Sequence, residues 1–265
     1  YSWAREFIDE NRRGSAPKGF MDLLEVGDLV YLSEENNQVR LDQIPQAQSS
    51  LISFNPKTGE VLSYVGGSVF NDSQFDRVRQ SYPQSGSVFK PFIYASAFSG
   101  GYNPSSLIND APIIFEDENL ETFWRPENYS GKFYGLTTLR EALVQSINIV
   151  SIKLLREIGI KKSSETVDNF GFGIERLPQD LSLALGSGNF SPAEVARGFS
   201  VFANGGMISD IHYVSQIKDK NGDIIFDHSE IDVVNVSSIS AFPWLNTVQL
   251  LSLIHISEPT RRIHI

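Results

Sequence analysis

The chain has 265 residues, 41% of them hydrophobic, which is enough for one large domain or for a domain and a small module. Its formal net charge is −10 and it has no long basic run, so nucleic acid is not an expected partner. The absence of cysteine excludes disulfides and thiolate metal sites, and no cofactor is expected. No apolar run reaches the roughly 18–20 residues that a membrane span needs.

Residues 1–46 predict a small β-rich module. The stretch opens on "YSWAREFIDENRRG", without an initiator Met, which is typical of the interior of a longer protein. We expect a helix here, followed by a hairpin of "DLVYL" and "QVRLDQI" around the turn "EENN". "IPQAQ" then connects this module to a main domain over residues 47–250.

The main domain begins with strands and continues with helices. "LISFN" and "EVLSYVGG" predict a hairpin around Pro56–Gly59. Ser191–Glu194, "SPAE", is a capping box that begins one helix, and Gly205–Gly206 ends it. "HYVSQIKDKNGDIIFDH" predicts a last hairpin with its turn at Asn221–Gly222. The order strands, helices, strands indicates an α+β fold. The predicted helices cover about 87–99, 138–145, 148–158, 163–170 and 192–204.

The last fifteen residues, 251–265, do not continue the pattern that precedes them. "LSLIHISEPTR" resembles the translation of a transposase-type sequencing adapter. The alternative is a short strand with a polar tail. We interpret the segment as non-native and exclude it from the prediction of fold and function.

Three S-x-x-K strings occur, and their surroundings differ. Gly and Pro around Ser15–Lys18 prevent a helix, so no geometry fixes that pair. Ser215–Lys218 lies on a predicted strand, where residues three apart point to opposite faces. Ser87–Lys90 begins the apolar run "SVFKPFIYASAF", and Pro91 is tolerated only near the first turn of a helix. Only this pair is expected to share a helical face.

Such a pair has the components of a nucleophile and its base. A serine hydroxyl is a weak nucleophile until a neighbouring base takes its proton. Burial of Lys90 among Val88, Phe89 and Phe92 lowers the pKa of its amine and favours the neutral form. Backbone N–H groups of the first turn, including that of Ser87, could stabilise an oxyanion. The alternative is a helix-capping serine and a lysine that extends to solvent.

A second motif, "SIN" at Ser146–Asn148, falls in a short break between two predicted helices. S-x-x-K followed by S-x-N is the order of motifs in penicillin-binding proteins and class A β-lactamases. Two other S-x-N strings occur. Ser53–Asn55 lies upstream of Ser87, and Ser187–Asn189 lies just before a helix cap. Helix capping is the alternative for Ser146 and Asn148 as well.

Residues from about 48 to 250 resemble the transpeptidase domain of class A (bifunctional) penicillin-binding proteins. The resemblance rests on "NPKTGEVLSYVGG", "SGSVFKPFIYASA", "WRPENYSGKFYGLTTLREALVQSINIVSIKLL", "GFG", "LALGSGNFSPAEVARGFSVFANGG" and "NGDIIF". It implies the transpeptidase fold shared with serine β-lactamases, with Ser87 as the acylated nucleophile and Lys90 as its base. It also implies Ser146 as a proton shuttle and Asn148 as a substrate contact. Its substrates would be peptidoglycan stem peptides, and β-lactams would acylate the same serine.

Two departures from the family pattern are visible. Ser85 stands where the family usually has proline, which we expect to affect only the entry turn. The K-T-G triplet expected after Ser146 is absent before Leu250, and the "KTG" at Lys57–Gly59 precedes the nucleophile and predicts a turn. We therefore expect an incomplete fold, and little activity from the chain as given.

Residues 1–46 resemble the β-rich insertion between the glycosyltransferase and transpeptidase domains of some Gram-negative members. This resemblance implies docking of an outer-membrane lipoprotein activator. It also implies a position at the periplasmic face of the inner membrane, with the anchor in an N-terminal segment outside this chain. Two further functions stay open for the main domain, a non-catalytic β-lactam sensor and, with less support, a serine β-lactamase.

Overall fold

The computed structural model describes residue 5 and residues 7–9, 12–42, 47–71, 73–117, 122–228 and 234–235. The chain divides into two compact units, Tyr1–Gln48 and Ser49–Ile265. The interpretation of residues 251–265 as an adapter tail lies outside the described residues. Within those residues, no helix is long and apolar enough to cross a membrane.

The described part of the first unit is built from short antiparallel strands. Strand β1 (Phe7–Asp9) pairs with β2 (Arg12–Arg13), and β3 (Tyr31–Glu35) pairs with β4 (Gln38–Asp42). The predicted hairpin is confirmed, and the positive φ angles of Asn36 and Asn37, 52° and 59°, fit a two-residue turn. The predicted initial helix is wrong where the structure describes it, because backbone pairing of β1 with β2 overrides the weak helical propensity of that stretch.

The second unit mixes helices and strands, which confirms the α+β fold. Its helices are α1 (Lys90–Ser99), α2 (Leu139–Val144), α3 (Asn148–Ile158), α4 (Ile160–Asp168) and α5 (Pro192–Ala203). Its strands are β5 (Leu51–Phe54), β6 (Val61–Val65), β7 (Leu107–Asp110), β8 (Phe115–Asp117), β9 (Thr122–Trp124), β10 (Gly135–Thr138), β11 (Met207–Ile208), β12 (Gln216–Lys218), β13 (Ile224–Asp227) and β14 (Val234–Asn235). The pairs are β5–β6, β7–β10, β8–β9, β11–β14 and β12–β13, all antiparallel.

Helix α1 runs through the centre of the core, and its residues 90–98 are all buried. One side packs on a cluster rich in phenylalanine, where the Phe92 ring lies 4.8 Å from that of Phe172 and 5.0 Å from that of Phe170. The other side, with Tyr94 and Phe98, packs on residues of α2 and α3. Burial of each such aromatic side chain stabilises the fold by about 1.5–3 kcal/mol, so the position of α1 is strongly determined.

The start of one helix and the conformation of one turn differ from the sequence-based expectation. Helix α4 begins earlier than predicted, directly after Gly159, whose φ of 91° lets the chain turn sharply out of α3. In the last hairpin only Gly222 has a positive φ, 96°. The Asp219 carboxylate accepts the backbone N–H groups of Asn221 and Asp223 and so fixes the rest of that turn.

Candidate active site

Ser87 lies where the chain enters the central helix. Residues Gly86–Phe89 form a 3₁₀ turn that runs directly into α1, and the Ser87 carbonyl accepts the N–H of Lys90. The prediction of a helix beginning near Ser87 is confirmed, with a tighter first turn than expected. Pro91 lies in the first turn of α1, where its missing N–H removes no helical bond. The Ser87 side chain is exposed.

The entry turn is held by a segment 100 residues further along the chain. Gly86 N–H donates to the carbonyl of Gly186 at 2.9 Å, and the Ser85 hydroxyl lies 3.1 Å from the carbonyls of Gly186 and Gly188. A Cβ at Gly186 would lie 2.0 Å from the Gly86 carbonyl oxygen, so this close approach requires glycine. The side-chain bonds of Ser85 therefore fasten the entry turn.

Lys90 is fully buried, and its amine is the centre of the site. Its Nζ donates to the Ser146 carbonyl at 2.6 Å, to Ser146 Oγ at 3.1 Å and to Asn148 Oδ1 at 2.7 Å. These three acceptors match the three N–H bonds of an ammonium. Desolvation by burial lowers the pKa of Lys90 from 10.5 to about 8. The lower pKa increases the fraction of Lys90 in the neutral amine form that a general base requires.

Ser146 occupies the predicted break between α2 and α3. Its φ is 53°, an uncommon value for a residue other than glycine, and its side chain is exposed. The N–H groups of Ser146 and Ile147 close the end of α2 by donating to the carbonyls of Leu143 and Ala142. This conformation turns both the carbonyl and the hydroxyl of Ser146 toward Lys90. Strained backbone of this kind is concentrated at functional sites.

Asn148 is the first residue of α3, and both ends of its carboxamide are used. Oδ1 accepts from Lys90, and Nδ2 donates to the Glu127 carbonyl at 3.0 Å. The second N–H of the carboxamide has no partner within the described part of the chain. It could donate to a substrate carbonyl.

The structure thus brings Lys90, Ser146 and Asn148 into one hydrogen-bonded cluster, one helical turn from Ser87. Among the described residues the Ser87 hydroxyl bonds to neither Lys90 nor Ser146, and such catalytic bonds often shorten only when substrate is bound. A groove of about 640 Å³ adjoins the break at Ser146. It is lined by Tyr134, Leu136, Thr137, Thr138, Glu141, Gln145 and Ile147.

The competing sequence strings lie in different surroundings. Ser15–Lys18 is in irregular chain of the first unit, and Ser215–Lys218 enters strand β12. The "KTG" string, Lys57–Gly59, forms a turn in which Asn55 Oδ1 accepts the Lys57 N–H at 2.9 Å. Ser209 Oγ donates to the Lys57 carbonyl at 3.0 Å and fastens that turn. The prediction of a turn at Lys57–Gly59 is confirmed.

Sequence reasoning missed two buried residues, of which one contacts this cluster and the other contacts the first. Asn128 Oδ1 accepts the backbone N–H of Asn148, and Asp110 in turn accepts from Asn128. Both lie outside the S-x-x-K and S-x-N motifs. The stretch "RPENY" contains Asn128, but neither hydrophobic periodicity nor spacing connects it with α3.

Comparisons with known proteins match both units of the chain. A family model described as "Penicillin binding protein transpeptidase domain" matches residues 50–251, and one described as "Penicillin-binding protein OB-like domain" matches residues 1–47. Penicillin-binding protein 1A of Pseudomonas aeruginosa is 42% identical over 225 residues, which cover 84% of this chain and 27% of that protein. Penicillin-binding protein 1A of Escherichia coli is 36% identical over 225 residues, covering 85% of this chain and 26% of that protein.

Solved structures extend the comparison to the fold. The crystal structure of penicillin-binding protein 1A from Haemophilus influenzae superposes with a TM-score of 0.71 at 36% identity, covering 75% of this chain and 30% of that one. The PonA1 protein from Mycobacterium tuberculosis in complex with penicillin V superposes with a TM-score of 0.68, covering 79% of this chain and 58% of that one. At 20% identity, PonA1 shows the fold alone.

The fold and the matched family model together place residues 50–251 in the class of penicillin-binding protein transpeptidase domains. The chain belongs to the penicillin-binding protein transpeptidase family, which confirms the resemblance found in the sequence. It spans about a quarter of the length of the curated relatives that it matches.

Proposed function

We propose that residues 47–250 form the D,D-transpeptidase domain of a class A penicillin-binding protein that cross-links peptidoglycan stem peptides. The observation that carries this proposal is the buried Lys90 amine, which contacts Ser146 and Asn148 one turn from Ser87. Ser87 is the nucleophile in this proposal, and Lys90 is the general base. Ser146 relays the proton, and Asn148 binds the substrate.

In the acylation step, Ser87 Oγ attacks the carbonyl carbon of the penultimate D-alanine, and neutral Lys90 takes the hydroxyl proton. The oxyanion that forms is stabilised by the backbone N–H of Ser87, because an N–H at the start of a helical turn lacks a helical partner. The bond to the terminal D-alanine then breaks. Its nitrogen receives a proton from Ser146 Oγ, which regains one from Lys90.

The second step returns the enzyme to its first state. The amine of a neighbouring stem peptide attacks the acyl-Ser87 ester and gives up one proton to Lys90 through Ser146 Oγ. A new amide bond forms, the bond from the acyl carbon to Ser87 Oγ breaks, and Ser87 Oγ takes the proton back from Lys90. A β-lactam follows the first step, and its opened ring stays attached to Ser87 as a stable ester.

We also propose a role and a location for the protein that contains this domain. Residues 1–46 act as the β-rich module that an outer-membrane lipoprotein activator contacts. Glycosyltransfer resides in a preceding domain, and the protein is anchored at the periplasmic face of the inner membrane. The OB-like match over residues 1–47 supports the β-rich module.

The test is peptide mapping of the full-length protein that carries this chain, after reaction with a fluorescent penicillin. We expect one penicilloyl adduct, on Ser87. An adduct on Ser15 or Ser215 would contradict the proposed site. Two further assays separate the alternatives. With a stem-peptide donor and an amine acceptor, a transpeptidase forms the cross-linked product, whereas a sensor forms none. With penicillin, a β-lactamase releases the hydrolysed product.

A further inference from the structure

Helix α3 begins without a cap of its own. Its cap position is Ile147, whose apolar side chain makes no capping bond. The carboxamide of Asn128 substitutes for it, because Oδ1 accepts the N–H of Asn148 at 3.0 Å and that of Ile149 at 3.1 Å. Two of the four unpaired N–H groups at the helix start are thus satisfied by a residue 20 positions upstream.

The same upstream segment also holds the side chain of Asn148. The Glu127 carbonyl accepts from Asn148 Nδ2 at 3.0 Å, and this bond turns Oδ1 toward Lys90 Nζ, 2.7 Å away. Residues Glu127 and Asn128 therefore fix Asn148 at its backbone and at its carboxamide. A displacement of Glu127 or Asn128 would therefore move Asn148 and change its contact with the Lys90 amine.

Asp110 determines which way the Asn128 carboxamide points. It is 1% exposed, Asn128 is 6% exposed, and Asn128 Nδ2 lies 3.0 Å and 2.9 Å from the two carboxylate oxygens. Because the NH₂ group must face this carboxylate, Oδ1 faces the N-terminus of α3. Nδ2 also donates to the Lys132 carbonyl at 2.9 Å, and the Tyr134 N–H donates to Asp110 at 2.9 Å.

Helix α3 also binds the chain on either side of Asp110. Lys153 Nζ donates to the Asn109 carbonyl at 2.8 Å and to the Ala111 carbonyl at 2.9 Å. The carboxylate is therefore placed by strand β7, by Tyr134 and by α3 itself. Its position relative to the start of α3 is fixed from several sides.

We propose that Asp110 and Asn128 are positioning residues for acylation: the Asp110 carboxylate orients Asn128, which holds Asn148 and, through it, the Lys90 amine. This inference rests on the proposed function, since it concerns the base of that reaction. Neither residue belongs to the S-x-x-K or S-x-N motif. Both act through Asn148 and do not touch the reacting atoms.

A reciprocal exchange tests the proposal in the full-length protein. Asn128→Asp places two carboxylates side by side, and Asp110→Asn replaces one of the two carboxylate oxygens that face Asn128 and the Tyr134 N–H with an NH₂ group, with almost no change of shape in either case. We expect each single variant to acylate about 10- to 100-fold more slowly at saturating β-lactam, a range typical of small displacements of catalytic groups. The double variant D110N/N128D restores one donor facing one acceptor, and should recover at least about tenfold over N128D.

Ser191→Ala is the matched control, because it removes the cap of α5, whose described bonds are made to Glu194. This variant should melt at a lower temperature and acylate at the wild-type rate.

The inference is wrong if the single variants acylate like wild type, if the double variant is no faster than N128D, or if S191A is slowed as much as N128D at an equal loss of melting temperature. If N128D does not fold, the acylation rate of D110N alone decides whether the inference holds, because that variant introduces no additional buried charge. A wild-type protein that forms no adduct on Ser87 refutes the proposed function and this inference together, whereas a wild-type adduct with unaffected variants refutes the inference alone.

Discussion

Helices α5 and α3 begin in opposite ways. Helix α5 is capped by its own neighbours, since Ser191 Oγ accepts the Glu194 N–H and Glu194 Oε2 accepts the Ser191 N–H, with Pro192 in the first turn. Helix α3 has apolar Ile147 at that position and receives its cap from Asn128. The self-contained start belongs to a packing helix, and the start that depends on a distant residue carries the candidate active site.

The difference has a physical consequence. A local capping box forms whenever the helix forms, so it contributes to stability with little dependence on the rest of the fold. The start of α3 is correct only when β7, the segment of Asn128 and α1 are all in place. These tertiary contacts therefore determine the geometry at Lys90, where a small displacement would strongly lower the acylation rate.

The largest expected effect is at Lys90. Lys90→Ala should slow acylation of Ser87 by about 10²–10⁴-fold, the range for loss of general base catalysis. Lys57→Ala is the matched control, because Lys57 is the exposed lysine of the "KTG" turn, and it should acylate at the wild-type rate. Stopped-flow measurement with a chromogenic cephalosporin gives both rates. Equal rates for K90A and wild type would make Lys90 a structural residue.

Ser146 should show a smaller effect in rate together with an effect in stability. Ser146→Ala and Ser146→Gly both remove the hydroxyl that relays the proton, and each should slow acylation by about 10²-fold, the lower end of the range for proton transfer. Glycine also relieves the positive φ, so S146G should be more stable than S146A by about 1 kcal/mol. Urea unfolding compares the two variants. If S146A retains the wild-type rate, the hydroxyl is not in the proton path.

The smallest effect in rate is expected at α5. Ser191→Ala should lower the free energy of unfolding by about 1 kcal/mol, the usual value of a helix cap, and leave acylation unchanged. Denaturant unfolding and β-lactam labelling of the same preparation measure both quantities. A loss of labelling in folded S191A would show that the two helix starts are coupled.

Local patterns predicted much of this molecule because their causes are local. Pro91 restricts where α1 begins, and the Ser191–Glu194 capping box marks the start of α5. The same reasoning separated Ser87–Lys90 from the other S-x-x-K strings. The helix predicted at the start of the chain was wrong because pairing of short strands outweighed local propensity.

Asn128 and Asp110 could not be predicted in this way. Their significance comes from tertiary contacts across 18 to 21 residues of sequence, and no periodicity encodes such contacts. An isolated asparagine followed by tyrosine and serine indicates only a loop. The folded structure alone shows that this loop caps a helix.

The pH dependence of acylation tests the central claim most directly. Desolvation lowers the pKa of Lys90 to about 8, and only the neutral amine can take the Ser87 proton. The acylation rate constant of the full-length protein should therefore rise with pH, reach half its maximum near pH 8 and level off above it. This rise should disappear in K90A. A rate that is constant between about pH 6 and pH 10, or a midpoint that is unchanged in K90A, would contradict the assignment of Lys90 as the base.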